Sequence, residues 1–314
     1  MIKNLKVTLR TPTWLTIVLG VCLLSWQYLY NDIPYNIQVV FFVSLILLTG
    51  IPHGSLDHLI QKTTDNHANR RYNLAFFLVK YLSLMAFYAL AWFWFAGFSL
   101  LLFLIISAWH FGETDIEKTP KNATIWSFTR LLYGFYVLAF ILLTHANEAS
   151  PIIEQMISRQ GSSLVYWHFI HNNVKQILYL LGLSLATILI VAQSQHHIQF
   201  DKVRLLRLVL ILFISIWLPL LPAFALYFGG WHSLCAFDNI HSYLQKDYPT
   251  LSFKQVYIKT LPLTAIAIVF LGTFFWYQHN FMQQYDPFAI LFIFISLITL
   301  PHLTIAHQMN NVAE

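Results

Sequence analysis

Between Lys80 and Glu113 the chain carries no Asp, Glu, Lys or Arg, and the same holds from Thr260 to Tyr285 and from Pro287 to Val312. Such runs exceed the roughly 20 apolar residues that cross a bilayer as a helix. In hydrocarbon every backbone N–H and C=O must be bonded within the structure, which leaves helices or a closed barrel. A barrel strand would alternate apolar and polar residues; these runs are continuous. Charged residues make up only 10% of the chain, against about 25% in a soluble domain, so water cannot be its main solvent. The fold class that follows is all-α, a polytopic integral membrane helical bundle. It is expected to form one transmembrane domain over 1–314.

Ten spans are expected, within a range of eight to ten: 13–31, 36–52, 74–95, 97–111, 126–145, 174–193, 204–219, 221–240, 259–277 and 287–306. The stretch from Met1 to Arg10 with the apolar run after it resembles a signal peptide. It has no small-x-small cleavage site, and Val21 precedes Cys22 where a lipobox needs Gly or Ala. It reads as an uncleaved first helix. The longest loop, 146–173, is expected to lie in the interface as an amphipathic segment.

The formal charge of +5 does not point to nucleic acid, because the basic residues sit in short loops and set orientation. With Lys3, Lys6 and Arg10 inside, the loops holding Lys62, Arg70, Arg71, Lys118, Lys121, Lys202, Arg204, Arg207, Lys246, Lys254 and Lys259 fall inside too. Lys80 and Arg130 lie toward the same side, and only Arg159 and Lys175 fall outside. That bias predicts a multi-pass protein of the cell membrane with both termini cytoplasmic. The two cysteines, Cys22 and Cys235, lie in apolar stretches and define neither a disulfide framework nor a CxxC site.

Of fourteen histidines, four lie in or at the end of even-numbered spans: His53, His110, His232 and His302. In this topology those spans all run outward to inward, so the four sit at similar depth. Ionisable groups in a membrane face the bundle interior, and neutral imidazole is the usual nitrogen ligand of first-row metals. Four imidazoles at one level can converge on one ion. The blander alternative is that each bonds a neighbouring helix. Each has Gly or Pro beside it, which either lets a helix break or marks its end. Asp57 follows His53 by four residues, and on a continuing helix it would share its face and fix its tautomer. Glu113, three residues after His110, would do likewise. Asp115 and Asp238 are weaker candidates, with ordinary loop acids as the alternative.

The pairs His53…His58 and His302…His307 read HxxxxH. Five residues turn a helix by about 500°, which leaves such a pair some 140° apart. HxxHH boxes are absent, and His196-His197 has no partner box. His67, His145, His168, His171 and His279 read as loop or interface residues. Trp109, Phe111, Tyr133, Tyr136, Tyr227, Phe228 and Trp231 would line an apolar slot or simply pack.

The motifs PHGxxDH (Pro52 to His58), WHFGxxD (Trp109 to Asp115), FGGWHSL (Phe228 to Leu234) and LPH (Leu300 to His302) together resemble the Brp/Blh family. These bacteriorhodopsin-related proteins act as β-carotene 15,15′-dioxygenases. The resemblance implies a transmembrane catalytic domain holding Fe(2+), which would cleave β-carotene centrally with O₂ into two all-trans-retinal. The bilayer is then the source of substrate, and a microbial rhodopsin is a partner only indirectly, through retinal. Carried over, it implies His53, His110 and His232 as iron ligands. The family's fourth histidine comes four residues after the one in WHS; here that position is Ala236. A three-histidine site, a replacement ligand or a divergent branch all remain open, with His302 favoured over His241 as the replacement. Two other classes compete: a histidine-box di-iron desaturase or hydroxylase, separable by two irons per chain, and a non-catalytic protein that transports or handles metal or carotenoid.

Overall fold

The apolar runs become helices because a helix satisfies its backbone locally. The computed structural model describes residues 13–116, 123–157, 161–195, 198, 201–281 and 286–312, in which every regular element is helical. In chain order the elements begin with α1 (Thr13–Tyr30) and α2 (Tyr35–Leu45). A π-helical turn (Ile46–Gly50) leads into α3 (Ile51–Gly54) and α4 (Asp57–His67). Then come α5 (Leu74–Trp94), α6 (Ala96–Asp115), α7 (Thr124–Thr144), α8 (Ala146–Ile157), α9 (Gly161–Asn172), α10 (Val174–Gln195) and α11 (Lys202–Ser215). A second π-helical turn (Leu226–His232) joins α12 (Leu220–Ala225) to α13 (Ser233–Leu244), followed by α14 (Phe253–Phe281) and α15 (Pro287–Val312).

The chain is a multi-pass membrane protein. Among the described residues nine helical stretches are long and apolar enough to cross a membrane, with Tyr35–His67 and Leu220–Leu244 each counting as one. Of the ten expected spans the seventh, 204–219, falls short. Its helix α11 has 14 residues, a rise of about 21 Å against a hydrocarbon core of about 30 Å. It runs parallel to α1, with Arg207 donating to Thr13 and Gly20 facing Ile214. The chain then reverses, because the Thr16 hydroxyl meets the Gly230 carbonyl and Gly20 meets Leu226 in antiparallel register. The reversal is held within the protein. His145 Nε2 lies 2.8 Å from the Leu218 carbonyl, and the Leu220 N–H donates to Glu148 Oε2 (2.9 Å). Irregular backbone at membrane depth is tolerated where protein covers it in this way, and Pro219 prevents α11 from continuing. The chain direction therefore still alternates as ten segments would require.

The segment expected as the longest loop forms α8 and α9, and α8 buries Ala149, Ile152, Ile153, Met156 and Ile157. Pro301 lies inside α15 and does not end it. Helices α6 and α7 touch backbone to backbone: a Cβ at Gly134 would overlap the Ala108 carbonyl, and one at Gly112 the Arg130 carbonyl. Only glycine allows that approach. Lys3, Lys6, Arg10, Lys118, Lys121, Arg159, His196, His197 and the side chain of His279 lie outside the described residues.

Candidate metal centre

His53, His110 and His232 come from three segments that run in one direction and meet in the bundle interior. All three are buried, and one ring nitrogen from each lies within 4.8 Å of the others. Nitrogens bound to one first-row ion at about 2.1 Å can be no more than about 4.2 Å apart, so rotations of about half an ångström close the gap. The ring centroids of His110 and His232 are 4.8 Å apart, and those of His53 and His232 are 5.6 Å apart.

The two π-helical turns put these rings in place. An extra residue in a helical turn frees carbonyls and shifts the following side chains around the axis. One turn ends at Gly50, three residues before His53; the other ends on His232 itself. They lean on each other through Thr49, whose hydroxyl lies 2.7 Å from the Leu45 carbonyl and 2.8 Å from the Gly229 carbonyl. There is no room for a side chain at Gly229, where a Cβ would lie 2.8 Å from that of Leu45. The Ser233 hydroxyl donates to the freed Phe228 carbonyl at 2.7 Å. Sequence reasoning gave no sign of either π turn beyond the small residues at Thr49-Gly50 and Gly229-Gly230.

The polar atoms of this cluster fit a metal. Both ring nitrogens of His232 and Nδ1 of His110 are buried without a hydrogen-bond partner. A buried polar group left unbonded costs about 1–3 kcal/mol, and a common ion would take one lone pair from each ring. His53 places Nδ1 3.4 Å from the Thr49 carbonyl, which leaves Nε2 for the cluster. Phe111 and Phe228 pack against the His232 ring, with centroids at 4.4 and 5.8 Å.

The carboxylates reach histidines other than those expected. Asp57 Oδ1 lies 2.8 Å from His302 Nδ1, not against His53, because the helix breaks at Ser55-Leu56 and turns Asp57 to another face. Glu113 Oε1 meets His307 Nδ1 at 2.7 Å, not His110. His58 bonds the Ser55 carbonyl (2.9 Å). Asp115 is no solvated loop acid: it accepts bonds from Tyr133, Tyr227 and Trp231 at 3.0 to 3.2 Å. His145, expected at an interface, is buried.

A cavity of about 930 Å³ opens from the three histidines. Its wall is overwhelmingly apolar and includes Phe111 and Phe228; Tyr133, Tyr136, Tyr227, Trp109 and Trp231 are not part of it. Leu82, Leu101, Tyr166, Ile266 and Phe270 both line the cavity and face outward on the surface that lipid would cover. An apolar molecule dissolved in the bilayer can therefore reach the histidines without crossing water.

Comparison with known proteins gives the family of the chain. Residues 44–310 match the family model described as Beta-carotene 15,15'-dioxygenase. A Beta-carotene 15,15'-dioxygenase from uncultured marine bacterium 66A03 is 26% identical over 263 residues, covering 83% of this chain and 90% of that protein. The Probable beta-carotene 15,15'-dioxygenase Blh of Halobacterium salinarum is 24% identical over 297 residues, covering 86% of this chain and 84% of that protein. No solved structure matches the chain.

Proposed function

The chain belongs to the β-carotene 15,15′-dioxygenase family, and on that premise we propose that it cleaves the central double bond of β-carotene with O₂, giving two molecules of all-trans-retinal. The reaction balances without a reductant, since each half of the carotenoid leaves with one oxygen atom as an aldehyde. Fe(2+) is the proposed metal, held by His53, His110 and His232. The observation that carries the reading is His232, fully buried with both ring nitrogens unpartnered, facing His53 and His110 at the base of an apolar cavity.

When bound, ferrous iron supplies an open coordination position at which O₂ is activated. The chain's own residues do the rest. The cavity wall receives an extended hydrocarbon from the bilayer, and van der Waals contact holds one double bond beside the histidines. Phe111 and Phe228 fix the His232 ring and keep water from it, which protects reactive species from side reactions. Neutral imidazoles leave the metal its positive charge.

We also place the whole chain, 1–314, as one catalytic domain in the cell membrane with both termini cytoplasmic. Sixteen of its 18 Lys and Arg residues fall on one side in that orientation. Co-expression in β-carotene-producing bacteria tests the activity. Extracts should contain retinal and less β-carotene, and cells carrying His110→Ala should resemble cells without the protein. Unchanged β-carotene, or fragments of unequal length, would sink the proposal.

A further inference from the structure

Beside the three histidines a fourth ring packs against two of them, His53 and His110. His302 on α15 is buried, with its ring centroid 4.8 Å from that of His110 and 5.0 Å from that of His53. Its two nitrogens have different surroundings. Nδ1 lies 2.8 Å from Asp57 Oδ1, and Asp57 Oδ2 accepts the Tyr81 hydroxyl at 3.1 Å. Nε2 lies 3.2 Å from His110 Nε2. A carboxylate on Nδ1 keeps the proton there and leaves the Nε2 lone pair directed into the cluster.

From this juxtaposition we infer that His302 is a further ligand of the metal, with Asp57 and Tyr81 as positioning residues that set its tautomer and orientation. The inference rests on the metal-centre reading above. Two nitrogens bound at about 2.1 Å and near a right angle lie about 3 Å apart, which is the spacing of the two Nε2 atoms. A simple hydrogen bond between them is the competing account. It would leave His110 Nδ1 without a partner, as binding of an ion through Nε2 also does, but it would in addition leave His232 with neither nitrogen bonded. A shared ion takes one lone pair each from His110, His232 and His302, which a hydrogen bond between His110 and His302 does not do for His232. It also accounts for Asp57, a carboxylate buried within a spanning segment, where a charge is costly without an opposite one. A histidine bonded on its far nitrogen by a carboxylate is a recurrent way to orient a metal ligand.

The full-length chain in detergent, stripped of metal and titrated anaerobically with ferrous iron alone, tests this. Asp57→Asn keeps the shape and should weaken binding about 10- to 100-fold. His302→Gly should weaken it more, and free imidazole in the buffer should restore part of the loss. Tyr81→Phe should have a smaller effect in the same direction. Wild-type affinity in both Asp57→Asn and His302→Gly, with His53→Gly impaired, overturns the role of His302 and leaves the three-histidine centre standing. A loss in His302→Gly that imidazole does not mend, beside normal binding in Asp57→Asn, means that His302 only packs and likewise overturns it. Undiminished binding in all variants, His53→Gly included, overturns the metal-centre reading itself.

Discussion

Two spanning segments of this protein have opposite surroundings. Leu220–Leu244 is 89% buried over its most apolar window, whereas Leu74–Trp94 is 11% buried. The buried segment is the less apolar of the two. It carries Gly229, Gly230, His232 and Ser233, while the peripheral one presents Phe76, Val79, Phe87 and Phe93 to the outside. In a soluble protein the more apolar helix would lie inside. In lipid the tails are as apolar as leucine, so hydrophobicity gives a helix no reason to move inward. Small residues that allow close approach, and polar groups that need partners, decide which helices meet. Chemistry and packing therefore coincide on the same short stretch, and mutations should separate the two regions sharply.

The largest effect is expected at His232. Its replacement by Ala should remove most bound ferrous iron and lower retinal formation by at least about 100-fold, since an essential ligand is lost. Metal content and product chromatography read this directly. A variant that keeps its iron would mean that the buried segment serves packing alone.

Gly134→Ala comes next. The new methyl would overlap the Ala108 carbonyl, so α6 and α7 must part. Overpacking of this kind costs about 1–3 kcal/mol, visible as a lower melting temperature in detergent. Because α6 carries His110, ferrous affinity should fall with it. An unchanged melting temperature would mean that the two helices are not locked together.

Val79→Ala, on the lipid-facing side of α5, should shift stability by no more than about 0.5 kcal/mol and leave activity unchanged. A loss comparable to that of Gly134→Ala would show that the peripheral helix is covered by another protein surface, and the contrast between the two regions would then weaken.

Much of this was legible in the sequence. Charge-free runs dictate helices in lipid, and alternating direction puts His53, His110, His232 and His302 at one depth. The motifs around them carried the family resemblance, and the family match bears it out. What escaped were features set by remote contacts. The shortness of α11 depends on His145 and Glu148 capping the reversal at Leu218 and Leu220, and no local signal announces that. The partners expected for Asp57 and Glu113 came from assuming that each bonds along its own helix. The break at Ser55-Leu56 hands Asp57 to His302, and α15 brings His307 to Glu113. The π turns were invisible because a helix that gains one residue per turn keeps its composition. Ala236, one turn after His232, is buried and offers no ligand atom; depth alone favoured His302 as its replacement, and the fold sets the His302 ring against those of His53 and His110.

The central claim is that this histidine cluster works as a carotenoid-cleaving metal centre. The most direct measurement is the product yield of the purified full-length chain, stripped of metal, reloaded with ferrous iron and given β-carotene and O₂. The account predicts two retinal molecules for each β-carotene consumed, and none before reloading or in His232→Ala. Retinal formation at full rate in the stripped protein or in His232→Ala would contradict it.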